Sequence, residues 1–527
     1  MAVFLTIISV LWAIYIGFRV KKSIHMLQLN SYFNNRLLKW MKEHFNQVIH
    51  KKEWLSILAI LLTVLSFYWI AFIWLALLIV IGILFRDKKQ EKKKLAITAR
   101  IKRLMTTISI LYGILLLVNL YFIWMNQNLI WVSILFVIGM VSPYVVILLA
   151  NLINRPMENA VKEYYYKDAK SIISNASDLK TIGITGSFGK TSTKFILDTI
   201  LSSHYNTLKT PESFNTKIGV TITIRNSLKP YHDVFIAEMG AKEPGNIQEI
   251  CELVGHKYAI ITAIGEQHLE TFKTLDNIKK TKYEIVESLP DDGVAFLNKD
   301  DQNIMDYKPK SNCRKVYFGI DRTDAEYVAS DIQFHNKGTT FRVQNKAGDL
   351  DATFDTKLLG KHNVYNILAA ICVAWELGVP LNKIQLGVKK IKSVKHRMEI
   401  KKGFGGLTVI DDSFNSNPTG SKLALEVLST MDGYKVLVTP GMVELGDKQY
   451  EYNKNFGEYA ADACDYVILV GEKQTEPIQD GLKEKAYPQD QLYLAKDLND
   501  AIQHMQSLGR SDAIVLLEND LPDTYNE

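Results

Sequence analysis

Hydrophobic positions follow two different patterns along the chain. In the first 155 residues they run together. VFLTIISVLWAIYIGF (3–18) is uncharged and ends in Arg19, Lys21 and Lys22, and residues 54–85 are 32 consecutive apolar or neutral positions. Residues 106–125 and 129–150 form two more such runs on either side of NQN. A bilayer span needs about 20 apolar residues. The 54–85 run is long for one span and short for two, which favours a short helical hairpin, and the second pair of runs reads as another hairpin. The pattern predicts about five crossings or half-crossings. From about residue 170, short β-branched runs alternate with helix-length amphipathic segments, which predicts an α/β domain with a mainly parallel sheet. LKTIGIT reads as a strand, GSFG as a turn, and KTSTKFILDTILSSHY as a helix with Phe195, Ile196, Thr199 and Ile200 on one side. After 396 the alternation restarts. LTVIDDS, KVLVTPG and DYVILVG read as strands separated by helical GSKLALEVLSTM and YEYNKNFGEYAADA. That is a Rossmann-like domain. The expected organisation is a transmembrane helical region (1–155), a central nucleotide-binding domain (156–395) and a C-terminal Rossmann-like domain (396–527).

Charge sharpens the membrane reading. Residues 1–105 hold 17 Lys/Arg against 4 Asp/Glu, while the whole chain is only +6, so the remainder is acidic. A basic, apolar front end suits a bilayer with anionic lipids. Nucleic acid is not expected as a partner, because the basic clusters flank runs of membrane length. The basic residues follow the first apolar run instead of preceding it, the reverse of a signal peptide. Lys51-Lys52, RDKKQEKKK, Arg100, Lys102, Arg103 and Arg155 flank the later runs, and the positive-inside rule places them in the cytosol. Everything after 155 is then expected to be cytosolic, as the catalytic part of a multi-pass protein of the cytoplasmic membrane. The mixed segment 23–50 fits either an in-plane helix or a linker helix. Cys251, Cys313, Cys372 and Cys464 are scattered with no CxxC pair, so buried reduced thiols are expected.

The candidate chemistry begins at GSFGKTST. A strand, a glycine turn and a helix N-terminus together present free backbone N–H groups and the helix dipole to an anion. Gly186, Ser187, Gly189, Lys190, Thr191 and Ser192 form this cradle. Lys190 would contact the β/γ-phosphates of ATP, and Thr191 would offer its hydroxyl to Mg²⁺. Only two residues separate Gly186 from Gly189, where the common phosphate loop has four.

That shortened loop resembles the T-G-[TS]-x-G-K-T-[ST] element of the Mur ligase family, the ATP-dependent amide ligases of cell-wall synthesis. FIAEMGAKEPGNIQEI, AIITAIGEQHLETF, KYEI, GKHNVYNILAA, HRMEI, DDSFNSNP and GMVELG resemble further family elements in order, over roughly 175–470, and they favour the MurF type. The resemblance implies activation of an acceptor carboxylate by ATP as an acyl-phosphate, then attack by an amine. It assigns Thr191 to one Mg²⁺ and Glu238 and His268 to a second. It makes Lys282 a carbamylated metal ligand, and Lys190, His268 and Lys282 the catalytic set. Asn366 would read the adenine and Asn363 would support the same loop, though both could instead cap the following helix. Arg397 and Asp412 would reach the nucleotide from the C-terminal domain. Read without the resemblance, Lys282 in NIKKTKYEI is a solvated lysine.

Four features depart from the family. Membrane-like sequence stands where the UDP-gripping N-terminal domain is usual, which suggests an acceptor held at the bilayer. Phe188 replaces a loop Asn, Asn453 replaces a His after M-x-E-L-G, and LLENDLPDTY stands in place of a C-terminal K-G-S, the last two on the amine side. The expected partners are membrane lipids, a cell-wall precursor, and an amino acid or dipeptide. Two other readings compete with this one. The chain could be a polyglutamate-type polymer ligase, or a membrane nucleotide-binding scaffold without ligase chemistry.

Overall fold

The structure, a computed structural model, describes residues 1–85, 94–125, 128–335, 338–402, 407–414, 416–510 and 512–520. All of RDKKQEKKK but Lys94, all of NQN but Asn128, Asn415 of DDSFNSNP and the LPDTY end of LLENDLPDTY lie outside the described residues. The chain divides into two compact units between Glu163 and Tyr164, eight residues beyond the boundary expected at 155. The division falls within helix Pro143–Ser174.

The first unit is helical. The charges that close the first apolar run do not end its helix, which continues to Leu29. Arg19 instead turns inward. Its Nε lies 2.7 Å from Glu53 Oε1, and Tyr15 donates to the same oxygen at 2.6 Å. A buried charge is tolerable only when paired and hydrogen-bonded in this way. The 54–85 run breaks at Ser66 (φ 64°) into helices Ile57–Val64 and Tyr68–Leu84, which pack on one another. Ala99–Trp124 is continuous. The 129–150 run breaks before Pro143, which lacks the backbone N–H needed to continue the helical ladder. Leu129–Val141 and Pro143–Ser174 meet at a 74° bend. Among the described residues, Ala2–Leu29 and Ala99–Trp124 are long and apolar enough to cross a membrane, with a third span if the bent pair counts as one. In 23–50, helix Asn34–Glu43 buries Leu37 and Trp40 in the core of this unit.

The second unit holds two sheets. The first contains β1 Lys180–Thr185, β2 Thr207–Lys209, β3 Val234–Glu238, β4 Tyr258–Ile261, β5 Val294–Asn298, β6 Arg314–Gly319, β7 Tyr327–His335, β8 Gly338–Asn345 and β9 Asp351–Thr356, in the order β2-β3-β1-β4-β5-β6-β7-β8-β9. It is parallel from β2 through β7, and the β7–β8–β9 pairs are antiparallel. The second contains β10 Glu399–Lys402, β11 Thr408–Asp412, β12 Tyr434–Thr439, β13 Tyr466–Val470, β14 Leu492–Ala495 and β15 Ala513–Glu518, in the order β10-β11-β15-β12-β13-β14, with only β10–β11 antiparallel. In the first sheet, connections leave β1 and β4 in opposite directions, which opens a crevice at their carboxyl ends. The loops after β1 and β4 both enter it. Helix Lys361–Glu376 is buried from Asn363 to Ala374 against helix Lys190–Leu201 and the sheet. The four cysteines are buried and free.

Candidate active site

The turn after β1 fits its neighbours closely. Gly186 has φ 153°, and a Cβ there would lie 2.0 Å from Thr262 Oγ1. Ser187 N donates to the Ala263 carbonyl at 2.7 Å, and Thr262 Oγ1 donates to the Phe188 carbonyl. The loops after β1 and β4 therefore form one rigid wall. Phe188, which replaces the usual Asn, lends its backbone carbonyl to this wall and lays its ring against Gly265. Gly189 (φ 80°) starts helix Lys190–Leu201. Gly186→Ala is expected to lose nucleotide binding and to lower the melting temperature, because it combines a forbidden backbone angle with a steric clash. Calorimetric titration with ADP and a thermal melt check this.

Lys190 Nζ donates to the carbonyls of Gly186 (2.7 Å) and Ser187 (3.1 Å), so the ammonium sits over the loop. At the next residue, Thr191 Oγ1 donates to Glu238 Oε1 at 3.1 Å. Glu238 ends β3 and is fully buried. Its Oε2 accepts from Lys194 Nζ at 2.9 Å and its Oε1 from Asn215 Nδ2 at 3.0 Å. Burial opposes its charge, but Lys194 and Lys190 outweigh burial and hold the carboxyl below the usual range. Lys282 is not solvated. It is 3% exposed on helix Leu275–Glu287 and makes no hydrogen bond or ion pair among the described residues. Burial drives its ammonium well below the ordinary lysine value, and the positive charge of Lys190 pushes the same way. His268 (φ 52°) places Nδ1 2.6 Å from Glu444 Oε2. Lys190 is within electrostatic reach of Glu238, His268 and Lys282. The catalytic and metal residues expected from the sequence therefore converge on one crevice.

The nucleotide residues divide. Ser192, Asn363 and Arg397 line a cavity of about 300 Å³, whose remaining wall includes Ile196, Leu358, Met398 and Val427. An apolar pocket with a few convergent polar groups suits a base and ribose. Arg397 stacks on Phe414, with 4.4 Å from its guanidinium carbon to the ring centre. Asn366 lies elsewhere. Its Oδ1 accepts from Thr193 Oγ1 at 3.1 Å, and a Cβ on Gly189 would lie 2.7 Å from that oxygen. Neither Asn363 nor Asn366 is a cap, since both lie inside a helix that starts at Lys361. Asp412 accepts from Met398 N at 3.2 Å, and burial lifts its carboxyl to about 6 against the pull of Arg397. A larger polar cavity, about 670 Å³ along β5–β8, contains none of these residues. Chemistry, and not size, therefore identifies the site.

Sequence reasoning missed four contributors: Lys194, Asn215, Thr262 and Glu444. Lys194 had a signal, being a lysine one turn after Lys190 on the helix face it shares with Leu197. Asn215 had none, and Thr262 stood inside the quoted AIITAIGEQHLETF without a role. Glu444 stood inside the quoted GMVELG without a role. Among the described residues, His396, Glu399 and Asp411 cluster closely enough to hold a metal. However, Lys401 Nζ lies 2.7 Å from Asp411 and 2.9 Å from Glu399, so an ammonium already neutralises the group.

The two departures on the amine side are structural. Asn453 is buried. Its Oδ1 accepts from Met442 N at 2.8 Å, and its Nδ2 donates to the carbonyls of Met442 (2.9 Å) and Gln449 (2.8 Å), pinning the GMVELG loop. Glu518, in the segment standing for K-G-S, is buried and accepts from Ser416, Ser421 (2.7 Å) and Thr439 (3.0 Å). Burial raises its carboxyl to about 7. A folded-state value above the unfolded one means that stability present at low pH is lost as pH rises through the folded value. The melting temperature is expected to fall between about pH 5 and pH 8, and Glu518→Gln should flatten that slope in a melt series across pH.

The comparisons place this geometry. The Mur ligase middle domain model matches residues 184–374, and the model described as Mur ligase, glutamate ligase domain matches 396–518. Over 338 residues the chain is 32% identical to the UDP-N-acetylmuramoyl-tripeptide--D-alanyl-D-alanine ligase of Escherichia coli, covering 62% of this chain and 74% of that one. The crystal structure of MurF from Acinetobacter baumannii is similar with a TM-score of 0.61 at 26% identity, covering 69% of this chain and 78% of that one. MurF from Thermotoga maritima, solved in complex with ADP, also gives 0.61, at 25% identity over 69% of this chain and 81% of that one. The helical first unit lies outside both family-model matches. With its ordered motifs, largely parallel sheets and these matches along both domains, the chain belongs to the Mur ligase family of ATP-dependent peptide ligases and resembles its MurF-type members.

Proposed function

We propose that the protein is a membrane-anchored MurF-type ligase that joins D-Ala-D-Ala, or a single amino acid, to a muramoyl-peptide acceptor. The observation that carries this reading is the convergence of Lys190, Thr191, Glu238, His268 and Lys282, the last without an ion-pair partner among the described residues, at the carboxyl ends of β1, β3 and β4. A carboxylate does not condense with an amine at neutral pH. Transfer of the γ-phosphoryl group of ATP gives an acyl-phosphate. The amine then attacks, and the tetrahedral intermediate collapses to an amide and phosphate. Lys190 and the loop N–H groups receive the phosphates. Ser192, Asn363 and Arg397 hold the nucleoside, with Arg397 supplied by the C-terminal domain, while Asn366 and Asp412 stand outside the cavity lining and brace its neighbours Thr193 and Met398.

The residues fit Mg²⁺. Thr191 and Glu238 present oxygens 3.1 Å apart, the ligand type this ion requires. His268 adds a nitrogen. Lys282 is a poor ligand as an ammonium, but its burial and lack of a counter-ion favour the neutral amine that reacts with CO₂. The resulting carbamate would be an oxygen ligand. Bound there, Mg²⁺ would supply positive charge to the phosphoryl group in transfer.

Two long apolar helices with basic flanks support anchoring in the cytoplasmic membrane, and with it contact with membrane lipids. The Escherichia coli relative is named for a UDP-linked tripeptide acceptor. With the helical unit outside the matched domains, a lipid-linked acceptor is the better fit here. Full-length protein in lipid nanodiscs should be given D-Ala-D-Ala with either a UDP-linked or a lipid-linked muramoyl tripeptide. The reading predicts faster product formation, by mass, on the lipid-linked acceptor. Equal rates would leave the helices as an anchor only.

A further inference from the structure

We propose that Glu444 is a positioning residue. On this proposal it is the carboxylate, delivered by the C-terminal domain, that sets His268 of the central domain as a metal ligand. The proposal rests on the reading of His268 as a ligand. It adds the requirement that the metal site is complete only when the GMVELG loop is docked.

Three observations carry it. First, the contact is short and directed. With His268 Nδ1 2.6 Å from Glu444 Oε2, the N–H of the neutral ring belongs on Nδ1, and the Nε2 lone pair is left outward. A carboxylate behind the other ring nitrogen is the usual partner of a metal-bound histidine, because it fixes the tautomer and the ring plane. Second, both ends are held in costly backbone conformations. His268 has φ 52° and Glu444 has φ 63°. Left-handed backbone at a non-glycine residue is unfavourable and persists only where the surroundings enforce it. Here they do. Asn453 pins the backbone of Met442, and Glu270 N donates to the Glu444 carbonyl at 3.4 Å. Lys448 Nζ meets Glu266 at 2.9 Å across the same two loops. Third, Glu444 itself is fixed. Lys242 Nζ donates to both its oxygens, at 3.1 and 3.3 Å, and Lys242 follows the EMGA element that carries Glu238. The carboxylate thus ties together the loop after β3, the loop after β4 and the C-terminal domain. An ion pair between exposed side chains needs no such scaffold.

The test is Mn²⁺ binding to full-length, detergent-purified protein with saturating ADP, read from the electron paramagnetic resonance of free Mn²⁺. A thermal melt is run on each variant. His268→Ala should weaken Mn²⁺ binding, and Glu444→Ala should weaken it about 10- to 100-fold. Glu444→Gln keeps an acceptor oxygen for Nδ1–H and should recover most of the loss. Parent-like Mn²⁺ binding in Glu444→Ala, beside a weakened His268→Ala, would overturn the positioning role and leave the metal reading standing. A lowered melting temperature with unchanged Mn²⁺ binding would reduce the contact to a structural ion pair and would also overturn the proposal. Unchanged binding in His268→Ala would remove the metal reading and the proposal together.

Discussion

Replacing Lys282 with Ala is expected to leave ADP binding intact and to cut acceptor-dependent phosphate release by about 100- to 1,000-fold, the scale of losing one preorganised charge-stabilising group. Lys282 touches neither the phosphate loop carbonyls nor the wall of the nucleoside cavity. Nothing in nucleotide recognition should therefore depend on it. Its burial, however, has no structural justification as an ammonium. A lysine 3% exposed with no paired carboxylate among the described residues is costly to keep charged, and Lys190 beside it adds repulsion. The neutral amine is the form that attacks CO₂; the N–H proton is lost to solvent, and the resulting carbamate anion turns the repulsion from Lys190 into attraction. Two further readouts follow from this chemistry. Protein equilibrated with ¹³C-labelled bicarbonate should show a carbamate carbon resonance that Lys282→Ala lacks, and removing CO₂ should slow the parent but not the variant. Retention of more than half the parent rate by Lys282→Ala would rule out a catalytic role.

Lys190→Ala should act earlier, at binding. Its ammonium already lies over the loop, on the carbonyls of Gly186 and Ser187, where incoming phosphate oxygens would compete for it. A charge-assisted hydrogen bond is worth about 1.5–3 kcal/mol, so ATP affinity should fall roughly 10- to 100-fold. Turnover at saturating ATP should fall further, because negative charge spreads over the phosphoryl oxygens in the transition state. Lys190→Arg should restore little. A guanidinium is a planar fork, and the pocket over the loop is shaped for a compact ammonium. Calorimetric titration with ATP, paired with phosphate release, separates the two effects. Parent-like affinity in Lys190→Ala would mean that the loop binds phosphate through its backbone alone.

What the sequence disclosed follows from physical range. Elements specified by local periodicity were legible. The strand–turn–helix from Lys180 to Leu201, strands β11, β12 and β13, and the two helices read after 396 lie where their patterns placed them, whereas β10, β14 and β15 were not anticipated. The β7–β8–β9 extension was not anticipated. Its inward positions are spaced by Tyr327, Ala329, Phe341, Val343 and Phe354, and polar residues between them dilute the pattern. The break at Ser66 divides the 54–85 run as a short hairpin requires, whereas the break before Pro143 divides a run that composition alone leaves continuous. Within the site, the residues named by motif came together, yet their partners did not announce themselves. Lys194 and Asn215 reach Glu238 from other segments, and Glu444 reaches His268 across 176 residues of chain. Such contacts depend on tertiary closure and leave no local trace. Lys282 shows the same limit in reverse, because its helix reads as solvated until burial is known.

The most direct test of the ligase reading is phosphate release from Mg-ATP by the full-length, detergent-purified protein, with acceptor and amine supplied together and each omitted in turn. The account predicts release only when a muramoyl-peptide acceptor and an amine are both present, with a product heavier than the acceptor by that amine less water. Tight ATP binding with no release for any pair of acceptor and amine would contradict it.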